Sequence, residues 1–328
     1  MAPTEPDPAT APSRRTPLSF ELYPPRTDAA ALALGRTIDR LADVDPAFIS
    51  VTFGAGGSSR DRSLTVLRYI LESTVVEPMA HLTCVGSSHA EANELVRRFL
   101  DAGIRSFLAL RGDPPVGADP DAPLGDLASA AELVQLIHRV QQEREPFDQV
   151  AVAGNPRASR IQERTRTTRV AVAAFPTGHP QSRDLSRDVD ILLAKQVAGA
   201  NLAITQLFWE ASDYLGFVER ARAEGVTIPI LPGIMPTTTP KRLSRLTELT
   251  GVRPPDAFAI ALEVEPDAAA QTELGIDFAT RLAAEVIAGG APGLHLYTYN
   301  RHEAVLDVVG RLGLATPHQL ANERDAAR

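Results

Sequence analysis

The feature that most constrains the fold of this chain is a series of eight short apolar runs, each of which ends in polar or Pro/Gly residues. A helical pattern separates each run from the next. Eight strands that alternate with helices are typical of a closed parallel β/α barrel. We therefore predict an α/β protein with a single (β/α)8 barrel of the TIM type. The runs are LSFELYPPR (18–26), FISVTFGAGG (48–57), PMAHLTCVG (78–86), SFLALRGDPP (106–115), VAVAAFPTGHP (170–180), LAITQLFW (202–209), PILPGIMP (229–236) and GLHLYTYNR (293–301).

The regions outside these runs set the predicted domain organisation. Residues 17–313 are predicted to form the catalytic barrel. Residues 1–16 are rich in Pro and polar residues and lack an apolar segment, so we predict a disordered tail. Residues 314–328 are predicted to form a polar C-terminal tail.

An insertion interrupts the even spacing between the predicted fourth helix and the fifth strand. This segment, residues 143–168, is longer than such a connection needs, and it contains QVAVAGNP (149–156), a near copy of RVAVAAFP (169–176). We predict that the second copy is the barrel strand, because His179, Pro180 and a helix follow it. The first copy then forms an extra strand or a surface hairpin, on the barrel face away from the chemistry.

Composition narrows the class of function. The net charge of −8 and the absence of an aromatic-studded basic stripe argue against nucleic acid or an anionic membrane as partner. The single cysteine, Cys84, excludes a disulfide within the chain, and no apolar run is long enough to span a membrane. The seven histidines form no HxH or HExxH pair, which argues against a metal site. These features predict a cytoplasmic enzyme that acts on small molecules.

Glu21 is the first candidate catalytic residue, because it lies in an apolar strand between Phe20 and Leu22. A carboxyl group among apolar side chains is expected to have a raised pKa, which suits a general acid near neutral pH. The alternative is a structural carboxylate paired with Arg26.

Two loops at predicted strand ends are candidates for ligand contact. Gly112 would let a ligand approach the backbone closely, and Asp113 is expected to project over the barrel mouth; the alternative is a structural turn. The segment 54–59, GAGGSS, would bind a phosphate or a ring system through backbone amides, although a flexible loop is equally compatible.

Three further polar residues stand at positions suited to binding. Gln206 ends the sixth run, and its amide group both donates and accepts hydrogen bonds, as recognition of a heterocycle edge requires. Asp188 and Lys195 lie seven residues apart, hence on one face of a predicted helix; a solvated helix face is the alternative.

Eight collinear motifs resemble those of the bacterial, single-domain methylenetetrahydrofolate reductase family. The resemblance runs from about residue 17 to 313 and omits the insertion. The motifs are SFELYPPRT, VTFGAGGSSRDR, HLTC, LALRGDPP, the AAFP…HP segment, GANLAITQLFW, PGIMP and HLYTYNR.

The resemblance implies an FAD-containing barrel that reduces 5,10-methylenetetrahydrofolate to 5-methyltetrahydrofolate with NADH or NADPH by a ping-pong mechanism. It implies that Glu21 and Asp113 are catalytic and that Gln206 and Arg301 bind folate, Gln206 also contacting nicotinamide. Bacterial relatives also imply a homo-oligomer. The positions that the resemblance assigns to flavin or nucleotide contact are Thr52, Phe53, Ala55, His81, Arg111, Gly112, Asp113, Ala128, Phe175, His179, Asp188 and Lys195.

The chain departs from the family pattern at several ligand-binding positions. Ile191 and Ala194 stand where the family motif often has Asn and Arg, and these positions would contact the ribose–phosphate part of the flavin. Leu246 replaces an aromatic residue, and Arg242 replaces a Gln. Ile191 and Ala194 keep open the alternative of direct hydride transfer from NADH to folate without flavin. A different class also remains open: a catalytically silent folate- or flavin-binding barrel, or a lyase on the same scaffold.

Overall fold

The computed structural model describes residues 16–53, 57–112, 125–144, 147–152, 155–163, 168–179 and 184–320. The strands are β1 (Leu18–Leu22), β2 (Phe48–Val51), β3 (Pro78–Thr83), β4 (Ser106–Leu110), β5 (Phe147–Val152), β6 (Asn155–Glu163), β7 (Arg169–Ala174), β8 (Leu202–Thr205), β9 (Ile230–Leu231), β10 (Gly233–Ile234) and β11 (Leu294–Tyr297). The helices are α1 (Asp28–Ala42), α2 (Gly57–Ser73), α3 (His89–Asp101), α4 (Ala130–Arg144), α5 (Leu185–Val197), α6 (Ala211–Ala223), α7 (Pro240–Thr250), α8 (Asp256–Val264), α9 (Ala268–Ala288), α10 (Glu303–Arg311) and α11 (Pro317–Leu320).

Nine strands form one parallel sheet in the order β10-β11-β1-β2-β3-β4-β7-β8-β9. The outermost strands, β9 and β10, are two halves of one run that is divided at Pro232, which has no N–H to donate to a strand ladder. Because β9 pairs with β8 and β10 pairs with β11, this run completes the ring. The eight apolar runs therefore supply the eight strand positions of the barrel, and the prediction of a (β/α)8 fold is confirmed.

The insertion forms a hairpin, and the second of the two similar segments is the barrel strand, as predicted. Strand β7 pairs in parallel with β4 and β8, whereas β5 pairs antiparallel with β6 in a separate two-stranded sheet. The hairpin connects the end of α4 to the start of β7. It is therefore attached at the end of the barrel where the parallel strands begin.

Deleting residues 145–166 is expected to leave turnover per folded molecule nearly unchanged. The reason is that the hairpin joins the barrel opposite the strand ends that carry the candidate site. Comparing the turnover and the sedimentation of the deletion variant with those of the parent tests this. A large loss of turnover in a well-folded variant whose oligomeric state is unchanged would contradict the prediction.

Local capping interactions fix the starts of several helices. Helix α3 has a complete capping box between Ser88 and Glu91, and α7 begins with Thr239 as cap and Pro240 in its first turn. The helical pattern of residues 126–143 predicts that the fourth helix starts at about residue 126, and this start is wrong. Helix α4 begins at Ala130, because the Ser129 hydroxyl accepts the backbone N–H of Glu132 and so caps the helix there.

The chain after the barrel begins with the short helix α11. Leu320 packs against the hydrophobic core, and its backbone oxygen accepts a hydrogen bond from Arg40. Residues 1–15 and 321–328, which include most of the two predicted tails, lie outside the described residues. No helix among the described residues has the length and apolar character to cross a membrane.

The inward-facing residues of the barrel are divided into an apolar part and a polar part. The apolar cluster comprises Phe48, Met79, Leu108, Ala171, Leu202, Ile204 and Leu231. The neighbouring strands β1, β2, β3 and β11 place polar side chains inside instead. Since each well-buried Leu or Phe stabilises the fold by roughly 1.5–3 kcal/mol, the chain forgoes that stabilisation at the polar positions. Those positions are Ser19, Glu21, Ser50, His81, His295 and Tyr297.

Candidate active site at the barrel mouth

A carboxyl group and two imidazole rings meet inside the barrel. Oε2 of Glu21 lies 3.5 Å from Nε2 of His81 and 3.7 Å from Nε2 of His295. These distances are too long for good hydrogen bonds, but at this range charges interact strongly in a buried site. The Glu21 side chain is 21% exposed, against 5% for His81 and 0% for His295. A ligand that enters the mouth therefore meets Glu21 first.

The two imidazoles reverse the expected direction of the shift in the pKa of Glu21. Burial raises the pKa of Glu21, but His81 and His295 lower it, and the net result is a pKa below the usual value of a glutamate. The expectation of a raised pKa is therefore wrong, because the strand neighbours of Glu21 are apolar while its partners across the barrel are not. Burial in turn lowers the pKa of His81, despite the nearby carboxylate.

His295 and Ser19 extend this cluster, and neither was among the residues singled out from the sequence. Nδ1 of His295 lies 2.9 Å from the hydroxyl of Ser19, which donates to the backbone oxygen of Leu294 at 3.0 Å. The sequence contains a signal for them: Ser19 and Glu21, like His295 and Tyr297, are polar residues two apart in apolar strands. Side chains two apart in a strand share a face.

Tyr297 and Gln206 also contribute side chains to the site. The Tyr297 hydroxyl donates to the backbone oxygen of Thr205 at 2.9 Å, and burial followed by the Glu21 charge raises the pKa of Tyr297 well above its usual value. Gln206 follows β8, and its Oε1 accepts the backbone N–H of Leu207 at 2.7 Å. Its amide N–H groups have no partner among the described residues, so they are available to a ligand.

A second polar cluster lies beside the ends of β4 and β7. Lys195 is buried and donates to the backbone oxygen of Ala173 at 2.8 Å; burial lowers its pKa to about 8, although Asp188 raises it. Asp188 is also buried and accepts the backbone N–H of His179 at 2.7 Å. The alternative of a solvated helix face is therefore wrong for both residues of α5. Arg111 is close enough to lower the pKa of Lys195 further, so two cations share this region.

The other predicted contact residues fall around the same end of the barrel. Thr52 and Phe53 follow β2, and the rings of Phe175 and His179 after β7 pack edge to face with centroids 4.6 Å apart. Gly112 has a φ of +88°, a conformation that favours glycine, and a Cβ there would lie 2.5 Å from a methyl group of Val85.

Some predicted contact residues lie further out or outside the described part of the chain. Ala128 is exposed and donates its backbone N–H to Glu132. Arg301 is exposed beyond β11. Ala55 and Asp113 lie outside the described residues, as do residues 54–56 of the glycine-rich loop. Among the described residues, no group of three or more His, Cys, Asp or Glu is arranged to hold a metal ion.

The fold and the position of the cluster define a β/α-barrel protein with a candidate active site at the carboxyl ends of its strands, where enzymes of this fold carry their chemistry. A family model described as methylenetetrahydrofolate reductase matches residues 8–313. The chain belongs to the methylenetetrahydrofolate reductase family.

Individual relatives agree with this assignment. The chain is 33% identical to the 5,10-methylenetetrahydrofolate reductase of Pectobacterium carotovorum, over 96% of this chain and 93% of that protein. It is 33% identical to the Salmonella typhimurium enzyme over 90% of each chain. Methylenetetrahydrofolate reductase (NADH) 1 of Zea mays is 33% identical over 92% of this chain, which corresponds to 49% of the plant protein.

One solved structure with a similar fold is an uncharacterized protein from Clostridium thermocellum, which binds two copies of 5-methyl-5,6,7,8-tetrahydrofolic acid. The TM-score is 0.57, and the match covers 93% of this chain and 96% of that one at 13% identity. At an identity of 13%, this comparison shows that the two proteins have a similar fold and shows nothing more.

Proposed function

We propose that this protein reduces 5,10-methylenetetrahydrofolate to 5-methyltetrahydrofolate with NADH or NADPH through bound FAD, by a ping-pong mechanism, as a step of one-carbon metabolism that serves methionine synthesis. The observation that carries the proposal is Glu21, which is accessible from the mouth and is backed by two buried imidazoles. Family membership supplies the reaction class. We also propose a cytoplasmic homo-oligomer, on the sequence arguments given above.

The reaction requires an acid at the position of Glu21. The bridging carbon of the substrate is bonded to two nitrogens; the bond to N10 breaks, N10 takes a proton, and an iminium cation forms at N5. A hydride then reduces the iminium carbon to the methyl group. A carboxyl group at the mouth is suited to deliver the proton and, once ionised, to stabilise the cation.

The contacts of His295 show how the cluster would hold that proton. The hydroxyl proton of Ser19 points at the backbone oxygen of Leu294, so Nδ1 of His295 is the donor to Ser19. In a neutral ring, the Nε2 lone pair would then face Oε2 of Glu21. Two electron-rich atoms at 3.7 Å in a buried site favour a proton between them. We infer that Glu21 and His295 hold one proton between them.

Substrate binding would move this proton toward the reacting atoms. Burial is the largest influence on the pKa of Glu21 and acts to raise it, while part of the side chain still contacts solvent. A folate that covers the mouth removes that solvent and so shifts the pKa of Glu21 upward from its lowered value. The carboxyl group then becomes the better carrier of the shared proton, next to the substrate nitrogen.

The residues beside β4 and β7 fit a cofactor with a diphosphate. Lys195 and Arg111 supply two positive charges in a largely buried region, and Gly112, whose conformation favours glycine, keeps that wall free of a side chain. We propose that these residues hold the diphosphate of FAD and that Asp188 orients the loop that carries His179. FAD, when bound, supplies the site that accepts hydride from NAD(P)H and passes it to the folate.

Ile191 and Ala194 favour the second candidate, direct hydride transfer from NADH to folate without flavin. Both are exposed on α5, the helix that carries Asp188 and Lys195. Neither side chain offers a polar contact to a flavin ribose or phosphate, in contrast to the Asn and Arg of the family pattern. The two candidates use the same Glu21 chemistry and differ only in the path of the hydride.

Absorbance of the purified protein at about 450 nm separates these candidates. We expect a yellow protein that NADH bleaches and that methylenetetrahydrofolate reoxidises. A colourless protein that still couples NADH oxidation to folate reduction would select the second candidate. A protein that performs neither reaction, with or without added FAD, would contradict the proposed function and favour a silent binding barrel.

A further inference from the structure

A groove lies between the start of α6, the start of α8 and the middle of α9, among the helices that surround the barrel. Its volume is about 660 Å³, within the range of sites that bind small molecules. The described residues that line it include none of the polar cluster around Glu21 and none of the cluster around Lys195. The groove is therefore separate from the candidate active site.

Three aromatic rings form the floor of this groove. The rings of Phe258 and Phe278 are stacked with centroids 4.2 Å apart, and the indole of Trp209 packs against them at 6.1 and 6.0 Å. Trp209 and Phe258 are buried, and Nε1 of Trp209 donates to the backbone oxygen of Val252 at 3.3 Å. These contacts hold the floor in place, and the faces of aromatic rings attract cations.

One cation of the chain already lies on this floor. The guanidinium carbon of Arg281 is 5.2 Å from the ring centroid of Phe278. Asp277 and Glu285 are each four residues from Arg281 on α9, a spacing at which helical residues often form ion pairs. Within the described part of the chain, Arg281 pairs with neither of them, and Asp277 pairs with Arg311 at 2.6 Å. The aromatic floor thus holds a cation while Glu285 is left without an ionic partner.

The charged groups that line the groove are unbalanced. Three carboxylates, those of Glu210, Asp277 and Glu285, share the groove with one guanidinium. Glu210 precedes α6, but its side chain makes no capping hydrogen bond to that helix. Burial and then the charge of Glu210 raise the pKa of the neighbouring Asp213, which shows that negative charge accumulates at this end of the groove. A positively charged ligand would relieve this imbalance.

We propose that this groove is a second ligand site, which binds an organic cation with a flat aromatic or apolar surface. The aromatic floor would contact the apolar surface of the ligand, and the carboxylates of Glu210 and Glu285 would balance its charge. An anion such as a nucleotide or a folate would instead meet an excess of carboxylates. The inference goes beyond the proposed function and does not rest on it.

Trp209 is the single tryptophan of the chain, so its fluorescence reports directly on the groove. The protein as purified is titrated with benzyltrimethylammonium chloride, and benzyl alcohol serves as the neutral probe with the same ring. We expect a saturable change in fluorescence with the cation and an affinity for the alcohol that is at least about fourfold weaker. No saturable change with the cation, or equal affinities for the two probes, would overturn the proposal.

The variant that tests the carboxylates is Glu210→Gln/Glu285→Gln, with Glu219→Gln/Glu263→Gln as matched control. The control makes the same change in net charge at exposed residues of α6 and α8 that do not line the groove. We expect the first variant to weaken binding of the cation by about two- to fivefold per carboxylate and to leave binding of the alcohol unchanged. The control should bind both probes as the parent does. Equal affinities of the two variants for the cation would overturn the proposal.

Competition and salt dependence complete the test. Saturating 5-methyltetrahydrofolate or NADH should leave the bound cation in place, as measured by equilibrium dialysis; displacement would locate the probe in the candidate active site and overturn the proposal. If the Glu210→Gln/Glu285→Gln variant does not fold, the affinity of the unmodified protein for the cation is measured against NaCl. This affinity should fall as salt rises, and a salt-independent value would overturn the site. None of these measurements requires turnover, so a failure of the proposed function leaves the test intact.

Discussion

Glu21→Gln is expected to lower the rate of folate reduction by about 10²–10⁴-fold, the usual contribution of a general acid. The amide has nearly the shape of the carboxyl group but cannot deliver the proton that N10 requires. It also cannot share a proton with Nε2 of His295, 3.7 Å away. Hydride transfer from NADH to the flavin involves no such proton, so this half-reaction should be largely retained. Stopped-flow measurement of the two half-reactions checks both statements.

Glu77→Gln is the matched control for this variant. Glu77 precedes β3 at the opposite end of the barrel, where it accepts hydrogen bonds from Ser106 and Arg169. Its loss should affect stability and leave both half-reactions of the folded protein intact. Equal losses in the two half-reactions of Glu21→Gln would show that Glu21 is structural and that the proton is delivered by another group.

The barrel could be predicted from the sequence because its determinants are local. Apolar runs define the strands, and caps such as Ser88 with Glu91 define helix ends within a few residues of chain. The predicted start of α4 is wrong because two capping signals, Asp126 and Ser129, compete within one turn. Asp126 instead accepts the backbone N–H of His89.

The site was only partly predictable, because its electrostatics arise between strands that are distant in the chain. The neighbours of Glu21 in β1 are apolar and predict a raised pKa, while His81 from β3 and His295 from β11 lower it. The pairing register that places Ser19 beside His295 is a property of the folded barrel. The roles of Glu21, Gln206 and Arg301 remain predictions that these contacts support and that kinetics must test.

Burial of a charged lysine carries a stability cost that function would explain. Lys195 is 8% exposed, and its pKa is lowered from the usual 10.5 to about 8. This difference disfavours the charged form by about 3 kcal/mol. Because the folded-state pKa lies below that of the unfolded chain, the full cost applies below pH 8. It diminishes as the pH rises toward 10.5, where both states become neutral.

Lys195→Met is therefore expected to stabilise the protein at pH 7 by at most about 3 kcal/mol, since the hydrogen bond to Ala173 is lost, and to weaken FAD binding by about ten- to hundredfold. Methionine fills a similar volume without a charge to desolvate. The gain in stability should shrink as the pH is raised from 8 to 10.5. In this range the lysine of the parent protein is neutral in the folded state, and the free-energy cost of removing its proton on folding falls as the pH approaches 10.5. Chemical denaturation over this pH range and titration of the apoprotein with FAD measure the two effects.

Arg187→Met is the control, since Arg187 is exposed on the same helix and should change neither stability nor FAD affinity appreciably. If Lys195→Met is stabilised but binds FAD as tightly as the parent, the lysine has no part in holding the cofactor, and its burial beside Asp188 is a structural feature of α5. If its stability relative to the parent does not vary with pH, the lysine is not held with a lowered pKa. If both effects appear, the chain retains an unfavourable buried charge at the position where the proposed function needs a cation for the diphosphate.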